Sequence, residues 1–153
     1  YASDISRTYA SDSGSDFAAM IEQLDQKQLA LVAASAIGSS PVDMHRLMLR
    51  AIAEILFEFK LINISVGAAV ASDFINIFCP HGLGHHLGVN VHDKGSRLAN
   101  PQGEILRPPK AYPKMRHTAP MVANQIHTVE PGIYFIPSMR DKLRHGDKAS
   151  QIN

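Results

Sequence analysis

An α+β fold follows from the order of three kinds of segment along this chain. The opening residues alternate like a strand, two long stretches repeat apolar residues at helical spacing, and the later part returns to short alternating runs broken by glycine and proline. That order speaks for an antiparallel or mixed sheet beside helices rather than for repeated βαβ units.

In residues 1–9, Ile5, Arg7 and Tyr9 share one face and Asp4, Ser6 and Thr8 the other, so Asp4 faces the polar side of a half-exposed strand. Residues 11–16 form a polar turn holding Gly14. A helix is expected from near Asp16 to about Ile37, with Phe17, Met20, Ile21, Leu24, Leu31 and Val32 as its apolar stripe and Gly38 as its stop.

The second helix has the clearest signal. Ser40 can cap it, Pro41 fits its first turn, and Asp43 stands where a capping-box carboxylate would. Met44, Leu47, Met48, Ala51, Ile52, Ile55, Leu56 and Phe59 recur at helical steps, so its methionines are core residues and not a cofactor box. A shorter helix is expected within 65–74. Glycine and proline then dominate residues 80–113, where Val89 and Val91 alternate with Asn90 and His92. Residues 125–135 read as a strand interrupted by Pro131-Gly132.

A chain of 153 residues suits one domain, and 45% hydrophobic with 19% charged residues is the balance of a globular protein. Fifteen basic and fourteen acidic residues leave a net charge of +1, without the positive excess that nucleic acid or an anionic membrane would ask for. No apolar run is long enough to span a bilayer. The single cysteine, Cys79, cannot form an internal disulfide, which agrees with a cytoplasmic location. Tyr1 stands where an initiator methionine would, and nothing near Asn153 resembles a terminating signal, so both ends read as cuts.

Chemistry concentrates in Pro80-His81-Gly82-Leu83-Gly84-His85-His86-Leu87-Gly88. The four-residue step from His81 to His85 resembles the helical pair of zinc peptidases. The glutamate that should follow the first histidine is absent, however, and Gly82, Gly84 and Gly88 oppose a helix. A glycine-rich strand or loop can instead crowd imidazoles around a metal or substrate. The residues alone leave this open beside a solvated, histidine-bearing loop. Asp4, and Glu130 on the face of Ile126 and Thr128, offer carboxylates far away in sequence, and each alone reads as a surface acid. A dimetal site needs several such groups to neutralise two cations.

Four segments occur here in the order seen in the pita-bread metallopeptidases: Tyr1-Ala2-Ser3-Asp4-Ile5-Ser6-Arg7-Thr8-Tyr9, the histidine segment, Val91-His92-Asp93, and Thr128-Val129-Glu130-Pro131-Gly132-Ile133-Tyr134-Phe135. With Gln28-Leu29-Ala30-Leu31, Val42-Asp43-Met44-His45 and Ala123-Asn124-Gln125, the chain most resembles bacterial Xaa-Pro dipeptidases, organophosphorus acid anhydrolase-type members included. Methionine aminopeptidase and creatinase, related enzymes of the fold, form a third possibility, and the wording of the histidine and EPGIYF segments favours the proline-directed group.

The resemblance implies a pita-bread (creatinase/aminopeptidase-like) catalytic domain, incomplete at both ends, with residues 1–153 as its central part. It implies two divalent metal ions, usually manganese, held by two aspartates, one histidine and two glutamates. Asp4 matches the second aspartate, His85 the histidine and Glu130 the first glutamate. His81 and His92 match histidines that bind substrate and steady the tetrahedral intermediate, Glu130 would also shuttle the proton, and His86 has no comparable role and is expected to be structural. The implied substrates are dipeptides with a C-terminal proline, and a homodimer of the full-length protein is open. The remaining aspartate and glutamate would lie outside this chain, so weak dimetal binding is expected of the fragment, and a noncatalytic member of the same fold is the alternative. Ala119-Pro120-Met121-Val122 and Lys94-Gly95-Ser96-Arg97 depart from the family's wording near the ligand positions.

Overall fold

A computed structural model describes residues 1–72, 74–139 and 151. Among the described residues, α1 (Asp16–Ala34), α2 (Pro41–Glu58) and α3 (Val66–Ala71) follow one another, and a 3-10 turn, Phe74–Ile77, comes after them. Each helix begins where a serine can take up an orphan amide. The Ser15, Ser40 and Ser65 hydroxyls accept from the N–H of Ala18, Asp43 and Ala68. α1 closes on Ser35, and Gly38 follows with φ 87°, a conformation that suits glycine. There the Gly38 N–H donates to the Met121 carbonyl at 2.7 Å, tying the α1–α2 link to a distant loop.

α2 is the platform of the molecule. Met48, Leu49, Ile52, Ala53, Ile55 and Leu56 are essentially closed to water, and Phe74, Ile75, Phe78, Cys79 and Leu83 pack into the same core. Each of the leucine, isoleucine, methionine and phenylalanine side chains among them contributes roughly 1.5–3 kcal/mol. The expected stripe misplaces two residues: Leu47 is 49% exposed, whereas Leu49 is buried, because α2 is covered on more than one side. On α1, only Met20 and Leu31 of the six stripe residues are buried. Lys27 on α1 pairs with Glu54 on α2 at 2.7 Å, a half-exposed bridge that adds little to stability.

No strand is assigned among the described residues, which corrects the three expected ones. Residues 1–9 have no ladder partner there, and the apolar side chains meant for a buried face lie open, Ile5 at 70% and Tyr9 at 84% exposure. Residues 88–92 turn back on themselves, so that the Asp93 N–H donates to the His86 carbonyl at 3.0 Å. Residues 126–130 do pair antiparallel with 83–87, through Leu87 N–H to Ile126 O, Thr128 N–H to His85 O and Glu130 N–H to Leu83 O, at 2.8 to 3.0 Å. The Thr128 hydroxyl accepts the His85 N–H in place of a carbonyl, so one isolated bridge, His86 to His127, is all that remains of a ladder. A second bridge joins Leu98 to Ile105 across a turn ending at Gly103, φ 90°. No helix of the described residues is long and apolar enough to cross a membrane.

His45 sits inside this core, 2% exposed, edge-on to Tyr112, and its Nδ1 has no hydrogen-bond partner. Burial first, then His81 and Arg46, pull its pKa down to about 4. The folded protein therefore refuses a proton that the unfolded chain accepts near 6.5. Stability from the neutral ring is complete above about 6.5 and is lost as pH falls through the window down to about 4. Denaturant unfolding from pH 7 to 4.5 should show this decline, and His45→Gln should flatten part of it.

Candidate metal centre

The paired segments 83–87 and 126–130 carry the site. Their closest approach is at Gly84, where a Cβ would overlap the Thr128 carbonyl, so only glycine lets the two backbones meet. Thr128 then grips His85 twice: its Oγ1 accepts from the His85 N–H at 3.0 Å, and its hydroxyl reaches the His85 carbonyl at 3.4 Å. Gln28 on α1 braces the second segment by donating to the Val129 carbonyl at 2.8 Å.

These contacts place the His85 ring, 3% exposed, between carboxylates that are remote in sequence. Its Nε2 lies 3.2 Å from Asp4 Oδ2 and 3.0 Å from Glu130 Oε1. The Glu130 contact lacks hydrogen-bond direction, and that oxygen is buried without another partner. His92, exposed, stands edge-on to His85 with ring centroids 4.4 Å apart. Asp4, His85 and His92 each bring one ligand atom within 4.8 Å of the others. The geometry thus gathers the three expected ligands Asp4, His85 and Glu130 around one nitrogen. It also adds His92, expected only at the substrate, to the group at metal spacing.

The donor set fits a cation. His85 Nδ1 is 3.0 Å from the His86 carbonyl, which can only accept, so the hydrogen-bond network assigns the ring proton to Nδ1. Nε2 then offers a lone pair to two carboxylate oxygens, three acceptors facing one another. A bound cation, or a second proton on the ring, removes that conflict, and the orphaned Glu130 oxygen marks where the conflict is worst. Carboxylates with imidazole suit hard or borderline divalent ions.

His81 is held apart from this group. Its Nδ1 is 2.7 Å from the Gly82 carbonyl and its Nε2 is 3.1 Å from the Tyr134 hydroxyl. Burial, then Cys79 and Glu130, push the Tyr134 hydroxyl above its ordinary value. Tyr134 and Thr128 have no role in the sequence reading, although both stand in the segment that carries Glu130. A cavity of about 350 Å³ borders His81 together with His45, Cys79, Lys110, Tyr112 and Met115. Burial pushes the Cys79 thiol up to about 11, so it is not a nucleophile at neutral pH.

Acidic and imidazole donors converging from segments remote in sequence, beside a helical platform, are the site of a metalloprotein. The chain belongs to metallopeptidase family M24, whose family model matches residues 1–152. It is similar over all 153 residues to proteins named Xaa-Pro dipeptidase: 42% identical to that of Colwellia psychrerythraea, and 39% to those of Actinobacillus pleuropneumoniae serotype 5b and Shewanella loihica. In each case it covers 34% of the relative, so the chain spans about a third of the length of the curated proteins it matches. Membership implies the pita-bread fold and divalent metal ions.

Replacing Gly84 with alanine should separate the two segments. Because the obstacle is backbone, the expected cost is about 1–3 kcal/mol, with loss of the His85–Thr128 contacts. Equilibrium unfolding measures the first, and amide hydrogen exchange at His85 and Thr128 the second.

Proposed function

We propose that this chain is the central part of one α+β catalytic domain that hydrolyses dipeptides with a C-terminal proline, in a cytoplasmic protein. The observation that carries the reading is the pair of carboxylate oxygens, from Asp4 and Glu130, converging on the Nε2 of His85. Asp4, His85 and Glu130 would hold the metal, with manganese favoured by the oxygen-rich donors. When bound, two such ions supply a water of lowered pKa and polarise the scissile carbonyl.

The chain's own groups do the rest. Glu130, whose Oε1 is free of hydrogen bonds, takes the proton from the attacking water there and passes it to the proline nitrogen as the C–N bond breaks. His92, exposed beside His85, donates to the developing oxyanion. His81 contacts substrate by exchanging its bond with Tyr134, and the cavity it borders is large enough for a dipeptide. A proline amide has no N–H, so selectivity for it must come from shape and from the substrate's termini rather than from an amide acceptor.

The test is proline release from a dipeptide such as Ala-Pro by the full-length protein, with manganese and with chelator. Metal-dependent release is expected. His85→Ala or Glu130→Gln should lower it by more than roughly 100-fold, beyond what outer-shell partners typically contribute. Release that ignores both substitutions, or a protein that releases no proline under any metal, refutes the reading.

A further inference from the structure

Neighbouring residues of an extended segment point to opposite faces. While His85 turns toward Asp4 and Glu130, His86 turns toward His117, with ring centroids 4.5 Å apart. His127 lies across the bridge from His86 and completes a stack, 5.9 Å from His117. Three imidazoles, drawn from three separate stretches of chain, therefore gather behind the carboxylate site. His86 was expected to be structural, and the sequence gives His117 and His127 no role at all.

The ring nitrogens in this stack are unusual in what they lack. His86 Nε2, His117 Nε2 and His127 Nδ1 are each buried with no hydrogen-bond partner. His117, at the centre, is 4% exposed. Buried polar atoms ordinarily find partners, and three orphans in one stack ask for a shared one. A hollow of about 10 Å³, the size of one water, opens beside His117 and His127 between Leu83, Met115 and Met121.

We propose that His86, His117 and His127 form a second metal site, made of nitrogen alone, on the opposite face of the paired segments from Asp4, His85 and Glu130. All-imidazole sites favour borderline transition ions such as zinc, copper, nickel or cobalt over manganese, which prefers oxygen. The two faces would thus select different metals. Among the described residues only Asp4, His85 and His92 already stand at ligand spacing, so the imidazole site closes by rotation of its rings. His86 and His127 are half-buried, whereas His117 is buried. The apolar wall of Leu83, Met115 and Met121 keeps competing water away.

Zinc added to manganese-saturated protein tests the site. Calorimetry should show one further ion, and cobalt in its place should give the visible absorption of low-coordinate nitrogen ligation. His127→Phe, which preserves bulk, should weaken zinc at least 10-fold, while Asp4→Asn should leave it. In the unaltered protein, imidazole NMR signals of His86, His117 and His127 should shift on adding zinc, a readout that requires no variant to fold. Zinc that leaves those three signals unmoved, binds His127→Phe equally well, or is lost in Asp4→Asn overturns the proposal.

Discussion

Backbone contact between residue 84 and Thr128 sets the geometry of both histidine faces. The two segments meet only because position 84 has no Cβ, and the pairing is held by few bonds, since the Thr128 hydroxyl stands in for a carbonyl opposite the His85 N–H. That substitution shortens the ladder and fixes the His85 backbone from two directions. With the backbone fixed, the alternation of an extended chain sends His85 one way and His86 the other. One constraint therefore sorts the histidines into an oxygen-rich environment and an imidazole-rich one.

The helices supply rigidity rather than chemistry. α2 is buried on more than one side and offers the surface on which Leu83, Phe78 and Cys79 are packed, so the histidine segment leaves a solid core and not a floating loop. α1 reaches the second segment through Gln28, one bond from the residue before Glu130. Packing of this kind decides whether a side chain is aimed, because a ring in a close-packed environment has few rotamers left. The neutral, buried His45 belongs to the same framework and makes it sensitive to acid.

Helices were legible because their signals are local. Ser40, Pro41 and the methionine-leucine stripe of α2 needed no partner elsewhere, and the cap and first turn lie where those residues put them. Strands were not, because alternation does not name a partner: residues 1–9 alternate yet form no ladder among the described residues, and Val89 to His92 alternate yet form a bend. At the site, Asp4, His85 and Glu130 came from resemblance, and spacing alone could not have joined residues 81 positions apart. Thr128 and Tyr134 were missed since a hydroxyl that supports a ligand has no spacing rule. His117 and His127 were missed because their meeting depends on the bridge at His86.

The unsatisfied acceptors on the two faces pose different electrostatic problems. Around His85 a lone pair meets two carboxylate oxygens, negative charge already gathered, and a hard cation answers both at once. Around His117 the neighbours are two further imidazoles, and a nitrogen of each of the three rings is buried without a hydrogen-bond partner. The first arrangement is a standing demand for positive charge. The second tolerates being empty at neutral pH but binds most readily a metal that forms bonds with neutral nitrogen. A single pair of chain segments thereby presents two kinds of acceptor, and the ion each can hold follows from the donors rather than from the fold that carries them.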